Sequence, residues 1–270
     1  MKRHITNFTQ LLNLALKNPS EFLDRLSVIF EARINPGPGD RGYYQPIMVE
    51  QALARLSSIL RSNVKSYLEE QRLQSLEAEV ASRLNTRASQ SSIRGLFDAD
   101  RALARICYGL CRARKPRIAI ETGVAHGVTA AYLLEALEAN GEGMLVSIDL
   151  PPLGADRDRD VGLAVPDRLR RRWHLRFGTS RRVLPEVLKS HGLVDMFVHD
   201  SLHTYRNMHR EFATVAPHLT PGAILISDDI ESNTAFREWL TPGHLIDGFA
   251  MRNSAKAGLL FGVGVTAKRA

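Results

Sequence analysis

The sequence predicts an α/β protein with a doubly wound, mainly parallel sheet, preceded by a helical N-terminal region. Three features carry this expectation. From about Ile93 onward, short apolar runs alternate with helical patterns, which implies crossover connections between parallel strands. The last two apolar runs have no helix between them and predict an antiparallel pair at the sheet edge. Residues 1–92 instead space their apolar side chains by three and four and carry almost no strand signal.

In the N-terminal region, Phe22, Leu23, Leu26, Ile29, Phe30 and Ile34 form one helical stripe, with Asn18 and Pro19 in the cap and first-turn positions. The segment INPGPGDRGYYQP breaks the pattern. A second helix is predicted from about Ile47 to Leu60. A third carries Val64, Leu68, Leu76, Val80 and Leu84, a stripe suited to packing on its own domain or to a homo-oligomer seam. The polar NTRASQSS, residues 85–92, reads as a linker, so a cap or oligomerisation region over 1–92 and a sheet domain over 93–270 are expected.

Within the second region RIAIE, MLVSID, HLRFG, VDMFVHD and AILISDD read as strands, with helices predicted over 127–139, 180–190 and 204–217. HLIDGFAMR and GLLFGVGVT are the terminal pair.

Apolar residues make up 44% and charged residues 24% of the chain, which excludes disordered and fibrous classes. No apolar run approaches the roughly 18 residues of a spanning helix. The broken start MKRHITNFTQLLNLALKN is not expected to be a secretory leader. Cys107 and Cys111 lie four apart on one helical face, as small core residues in a reducing cytoplasm. The net charge of +7 permits an anionic partner without naming one. Nine arginines from Arg157 to Arg182 could form a lid over an anionic acceptor or a solvated face. With few interleaved aromatics, no specific nucleic-acid platform is expected.

Open α/β sheets bind ligands at the carboxyl ends of their strands, which points to Glu121, Asp149, Gly178, Asp200, Asp228 and Asp229. The first strand runs into ETGVAHGVT, where Gly123 and Gly127 allow a tight turn and a close ligand approach. Ala125 and Val128 stand where a dinucleotide fingerprint wants glycine, so NAD is not expected. An acid two before the first glycine and a glycine four after it match loops that hold S-adenosylmethionine, with Glu121 near its amino end. Asp149 could accept hydrogen bonds from both ribose hydroxyls. Asp200, Asp228 and Asp229 close two strands expected to be neighbours. Three carboxylates repel unless a hard divalent cation such as Mg2+ lies among them, and Asp228 and Asp229 can both reach it only if the strand has already turned. His203, three after Asp200, suits the abstraction of a hydroxyl proton. His199 should point away, into the core.

These residues, in ETGVAHGVT, LVSIDLPP, LVDMFVHDSLHTYRNMHREF and LTPGAILISDDI, resemble class I S-adenosylmethionine-dependent methyltransferases over about residues 95–265. More narrowly, they resemble the bacterial metal-dependent group that includes sugar O-methyltransferases and cephalosporin hydroxylase-like proteins. The resemblance implies a Rossmann-like seven-stranded sheet and S-adenosylmethionine as methyl donor. It places Glu121, Gly123, Ala125, Gly127, Thr129, Asp149 and Asp200 at cofactor-binding positions and Asp200, Asp228 and Asp229 at metal positions. It makes His203 the base. Catechol-type relatives carry Lys at the base and Asn at the last ligand, so His203 and Asp229 favour the sugar-modifying branch. The expected reaction is O-methylation of a hydroxyl, on a sugar of a glycan or glycosylated natural product, with a metal-dependent hydroxylase or a non-catalytic basic binding module as alternatives.

Overall fold

The computed structural model describes residues 14–33, 42–93, 98–240, 245–254, 256 and 258–267. The basic N-terminal tip, Ile34 and most of the Pro/Gly break that follows it lie outside the described residues.

Seven strands form one sheet in the order β3-β2-β1-β4-β5-β7-β6. They are β1 (Ile118–Thr122), β2 (Met144–Asp149), β3 (Trp173–Phe177), β4 (Val194–His199), β5 (Leu219–Ser227), β6 (Leu245–Arg252) and β7 (Leu260–Thr266). The first five pair in parallel, and β7 lies antiparallel between β5 and β6. The class of fold and the terminal antiparallel pair agree with the sequence reading. Chain order reverses between β1 and β4, so the crevice at their carboxyl ends is the topological place for a ligand.

Helices cover both faces. On one side α2 (Val49–Leu60), α3 (Val64–Leu68), α4 (Gln71–Arg87), α5 (Arg101–Arg114) and α6 (Val128–Asn140) share a single apolar core with the sheet. Val64, Leu68, Leu76 and Val80, the stripe suited to an oligomer seam, are consumed in this core. Cys107 and Cys111 are free thiols buried within it, as expected for small core residues. The segment read as a linker over 85–92 begins as helix, because α4 runs through Arg87 and a 3₁₀ turn follows over Ala88–Gln90. Its polar side chains are used: Ser91 Oγ lies 3.0 Å from His126 Nε2, and the Ser92 amide donates to Asp160. On the other face α8 (Ser180–His191) and α9 (Tyr205–Val215) pack over a second core, with α7 (Arg157–Asp160) and α10 (Ala235–Trp239) as short connecting helices.

The first described helix, α1 (Pro19–Arg33), reverses its expected orientation. Asn18 caps it by accepting from the Glu21 amide, as the sequence suggested. Its buried residues, however, are Glu21, Asp24 and Glu31, while Leu23 and Phe30 are 64% and 63% exposed. The reason is pairing across the chain. Glu21 accepts from Arg157, Asp24 from Arg182 and from both the amide and hydroxyl of Thr179, and Glu31 from Thr204 and Arg210. Charge-assisted hydrogen bonds of this kind outweigh apolar burial when every carboxylate finds its donors. As a result α1 lies across the carboxyl edge of the sheet.

Because α4 shares the core of the sheet, Leu76→Ala is expected to destabilise the whole protein by about 2–5 kcal/mol, the usual range for a fully buried leucine. Urea unfolding followed by far-UV circular dichroism and tryptophan fluorescence should give one coincident transition; an N-terminal unit unfolding separately would contradict the shared core.

Candidate active site

Gly123 follows β1 with φ +85, and its amide donates to the Ile148 carbonyl. A Cβ there would stand 1.9 Å from the Asp200 carbonyl oxygen. Glycine is therefore required by the contact between two backbones at the sheet switch point, in addition to any ligand. Gly127 is excluded from bearing a side chain by Gly162, whose amide donates to Ala125. Ala125 itself adopts a left-handed conformation, φ 48, in the place where many such loops use glycine. His126, between them, is fully buried and held by Asp98 and Ser91.

A cavity of about 1120 Å³ opens at this edge. Gly123, Ala125, Asp149, Gly178, Asp200, His203 and Asp229 line it, so most of the sequence-predicted site converges. Glu121, Gly127, Thr129 and Asp228 are not among its lining residues. Glu121 sits beneath the loop, fully buried, and accepts from Ser147, which also accepts from Trp173 Nε1. Burial, with a smaller contribution from the Asp149 charge, raises the Glu121 carboxyl to about 8 against the pull of the Ser147 hydrogen bond. Thr129 is buried in the first turn of α6, its hydroxyl without a partner.

Asp149 ends β2 facing the cavity. Burial lifts its carboxyl to about 6, opposed by the Val124 and Leu150 amides, and Oδ2 has no protein partner. Asp200, after β4, is raised well above the usual carboxylate range by burial and then by the charges of Asp228 and Asp229. Asp228 rises to about 7 for the same reasons, with Lys256 and Asn253 pulling the other way. β5 ends at Ser227 and Asp229 takes φ 46, so the strand has turned, as the use of both acids requires. Asp228 Oδ2 and Asp229 Oδ1 are buried without partners. Among the described residues, no three His, Cys, Asp or Glu side chains are gathered closely enough to enclose a metal as they stand.

His203 Nε2 lies 3.6 Å from Asp200 Oδ1 and 3.8 Å from Asp229 Oδ2, which places it beside the carboxylates that the sequence paired with it. Burial, partly offset by Asp229, lowers its imidazole to about 4, so it is neutral at physiological pH. Nδ1 is sealed from solvent. His199 is buried beneath, as anticipated, with Nδ1 2.7 Å from Glu211 and its ring edge-on to His203 at 5.3 Å. Glu211 also accepts from Thr122, Ser201 and Asn207, which anchors the loop carrying His203.

Several lining residues carried no local signal. Glu231 follows the aspartate pair, and Lys256 comes from the β6–β7 connection that the sequence shows only as a turn. Insertion of β7 beside β5 brings this connection, with Asn253 on Asp228, to the functional edge. Arg25, Val28 and Glu31 of α1 form part of the wall. The arginine-rich insert, by contrast, is spent on structure. Arg157, Arg159, Arg168, Arg171, Arg172, Arg176 and Arg182 hold carboxylates, and Arg170 lies over Trp173 and donates to the Gly162 carbonyl. Only Arg181 of the nine reaches the cavity.

Residues 120–230 match the family described as Methyltransferase domain. No curated protein matches the sequence. Similar solved structures include an O-methyltransferase from Bacillus cereus in complex with SAH, at TM-score 0.56 and 16% identity over 70% of this chain and 90% of that one. A second is cofactor-bound Rv0187 from MTB, at 0.54 and 15% over 77% and 97%. A third is the SAH-bound methyltransferase PaMTH1 from Podospora anserina, at 0.52 and 12% over 84% and 98%. The chain thus has the class I methyltransferase fold, with residues 120–230 similar to a methyltransferase domain.

The Glu121 shift has a testable sign. A carboxyl raised from 4.5 to about 8 in the folded state loses stability as pH climbs between those values, because the unfolded chain ionises first. Glu121→Gln should therefore be more stable than wild type at pH 8.5 by more than about 1 kcal/mol, with the gap closing toward pH 5. Urea midpoints at the two pH values measure it; a constant gap would mean that Glu121 is ionised in the fold.

Proposed function

We propose that this protein is an S-adenosylmethionine-dependent O-methyltransferase acting on a hydroxyl, of a sugar in a glycan or glycosylated natural product, with assistance from Mg2+. The observation that carries the reading is one cavity joining Asp149, with its free carboxylate oxygen, to His203 and the carboxylates of β4 and β5. Its volume of about 1120 Å³ exceeds the roughly 300–1,000 Å³ of a single small-molecule pocket, which suits a donor and an acceptor together. The sugar assignment rests on the resemblance of His203 and Asp229 to the sugar-modifying branch.

Asp149 fits a ribose diol, since two hydroxyl donors would satisfy both oxygens. Gly123 and Ala125 present backbone rather than bulky side chains to the same wall. Asp200, Asp228 and Asp229 would hold the cation: their oxygen donors suit a hard ion, and the orphaned oxygens and mutual repulsion leave a demand for positive charge. When bound, the donor supplies an electrophilic methyl group and the divalent ion supplies positive charge to the acceptor oxygens.

The chain's own residues do the rest. His203, neutral, accepts the hydroxyl proton at Nε2, the nitrogen that faces the carboxylates. The resulting imidazolium faces Asp200 and Asp229, whose carboxylates stabilise it. Glu211 fixes the 200–204 loop and α1 roofs the cavity, so the reacting groups are aligned away from bulk water.

Calorimetry should show Asp149→Ala weakening S-adenosylmethionine binding by about 1–3 kcal/mol, the loss typical of hydrogen bonds to a charged group. Unchanged affinity in the folded variant would reject the ribose assignment. With labelled donor and fractionated cell extract, His203→Ala should slow methyl transfer about 10²- to 10⁴-fold without changing donor affinity. EDTA should abolish transfer and Mg2+ restore it; full activity in EDTA would remove the metal from the reaction.

A further inference from the structure

Beside the main cavity lies an open pocket of about 570 Å³ lined by Arg181, Tyr205, Arg206, His209 and Arg210. Arg181 and Arg210 line both spaces, so the two adjoin across these side chains. The charge here is not neutralised as it is in the arginine-rich insert. Eight arginines of the neighbouring insert are tied to carboxylates, a carbonyl or an indole ring, whereas Arg181 and Arg206 have no hydrogen-bond or ion-pair partner among the described residues. Arg210 donates to Glu31 at 3.3 Å and Asn207 at 2.6 Å, yet its Nε is buried without an acceptor. Tyr205 stacks on His209 and donates to Glu238, which sets its ring against the pocket.

Three guanidinium groups line this pocket with no carboxylate among its lining residues, and Glu31 of the main cavity pairs with Arg210 alone of the three, which leaves an excess of two positive charges. A carboxylate ligand would engage a single fork; a phosphate dianion or diphosphate matches both the charge and the several planar donors. Arg206 lies three residues from His203, across the wall of the reaction cavity. We infer that Arg181, Arg206 and Arg210 form a phosphate subsite, and that the methyl acceptor is a phosphorylated compound whose hydroxyl reaches His203 while its phosphate occupies this pocket. The inference rests on the methyl-transfer reading above and names the acceptor class within it.

The probe is inorganic pyrophosphate, titrated calorimetrically into wild type, Arg181→Glu, Arg206→Glu and a charge-matched control, Lys189→Glu, eight residues and about 12 Å along α8 from Arg181. S-adenosylmethionine is titrated into the same four proteins. Pyrophosphate affinity should fall at least tenfold in both arginine variants and stay unchanged in the control, with donor affinity equal throughout. Equal pyrophosphate binding in all four overturns the subsite, while failure of every protein to bind S-adenosylmethionine overturns the methyltransferase reading instead. A second arm separates an acceptor phosphate from a free one. Cell extract treated with phosphodiesterase and alkaline phosphatase, both then removed, should lose its labelled product with the wild-type enzyme. Undiminished labelling would show that any anion bound here is not part of the acceptor.

Discussion

The turn after β1 lies directly against the backbone of Asp200, with no room at Gly123 for a single methyl group. This contact, where the sheet reverses its order, sets the rest of the site. Parallel strands β1 and β4 end in register, so the Thr122 carbonyl receives the Asp200 amide and the two following turns are pressed together. Asp200 becomes a wall common to the loop beside Asp149 and to the carboxylate group at the end of β5. The two halves of one cavity meet at this residue because the backbones leave no space between them.

Around that contact the molecule concentrates uncompensated polar groups on one edge. Asp149, His203, Asp228 and Asp229 each keep a buried polar atom without a partner. Several other buried carboxylates are answered more fully. Glu211 gathers four donors, and the carboxylates of α1 meet arginine, threonine and backbone donors on the rim. Unpartnered carboxylate oxygens and an imidazole nitrogen gathered at one edge hold there an electrostatic demand that a ligand can meet. The raised carboxyls and the lowered imidazole express the same imbalance.

The positive charge follows the opposite logic. A run of nine arginines looks like a binding surface when read linearly, yet most of these side chains hold the insert against α6, tie β3 to α8 or dock α1. Partners such as Glu79, Glu135 and Glu138 lie about 30 to 90 positions away in sequence and reveal nothing by spacing. Arg181 of the run instead joins Arg206 and Arg210, which come from a different helix, α9, and the three form a group only in space.

Strand and helix periodicity, which depends on neighbouring residues alone, was enough to determine the parallel sheet, its antiparallel closing pair and the helical character of the described part of the first 92 residues, though not the break between α3 and α4. The same local pattern, joined to the rule that ligands sit at strand ends, placed Asp149, Asp200, Asp229 and His203 on one edge. Tertiary structure decided what periodicity cannot carry. It buried the acidic face of α1 and exposed its apolar one, because partners from Arg157 to Arg210 outweighed the hydrophobic stripe. It brought Lys256 and Asn253 to the aspartates by slotting β7 between β5 and β6. It set Glu121, Gly127 and Thr129 behind the cavity wall rather than on it. Each of these outcomes depends on contacts between residues far apart in the chain, whose pairing is chosen by the packed whole and leaves no trace in local spacing.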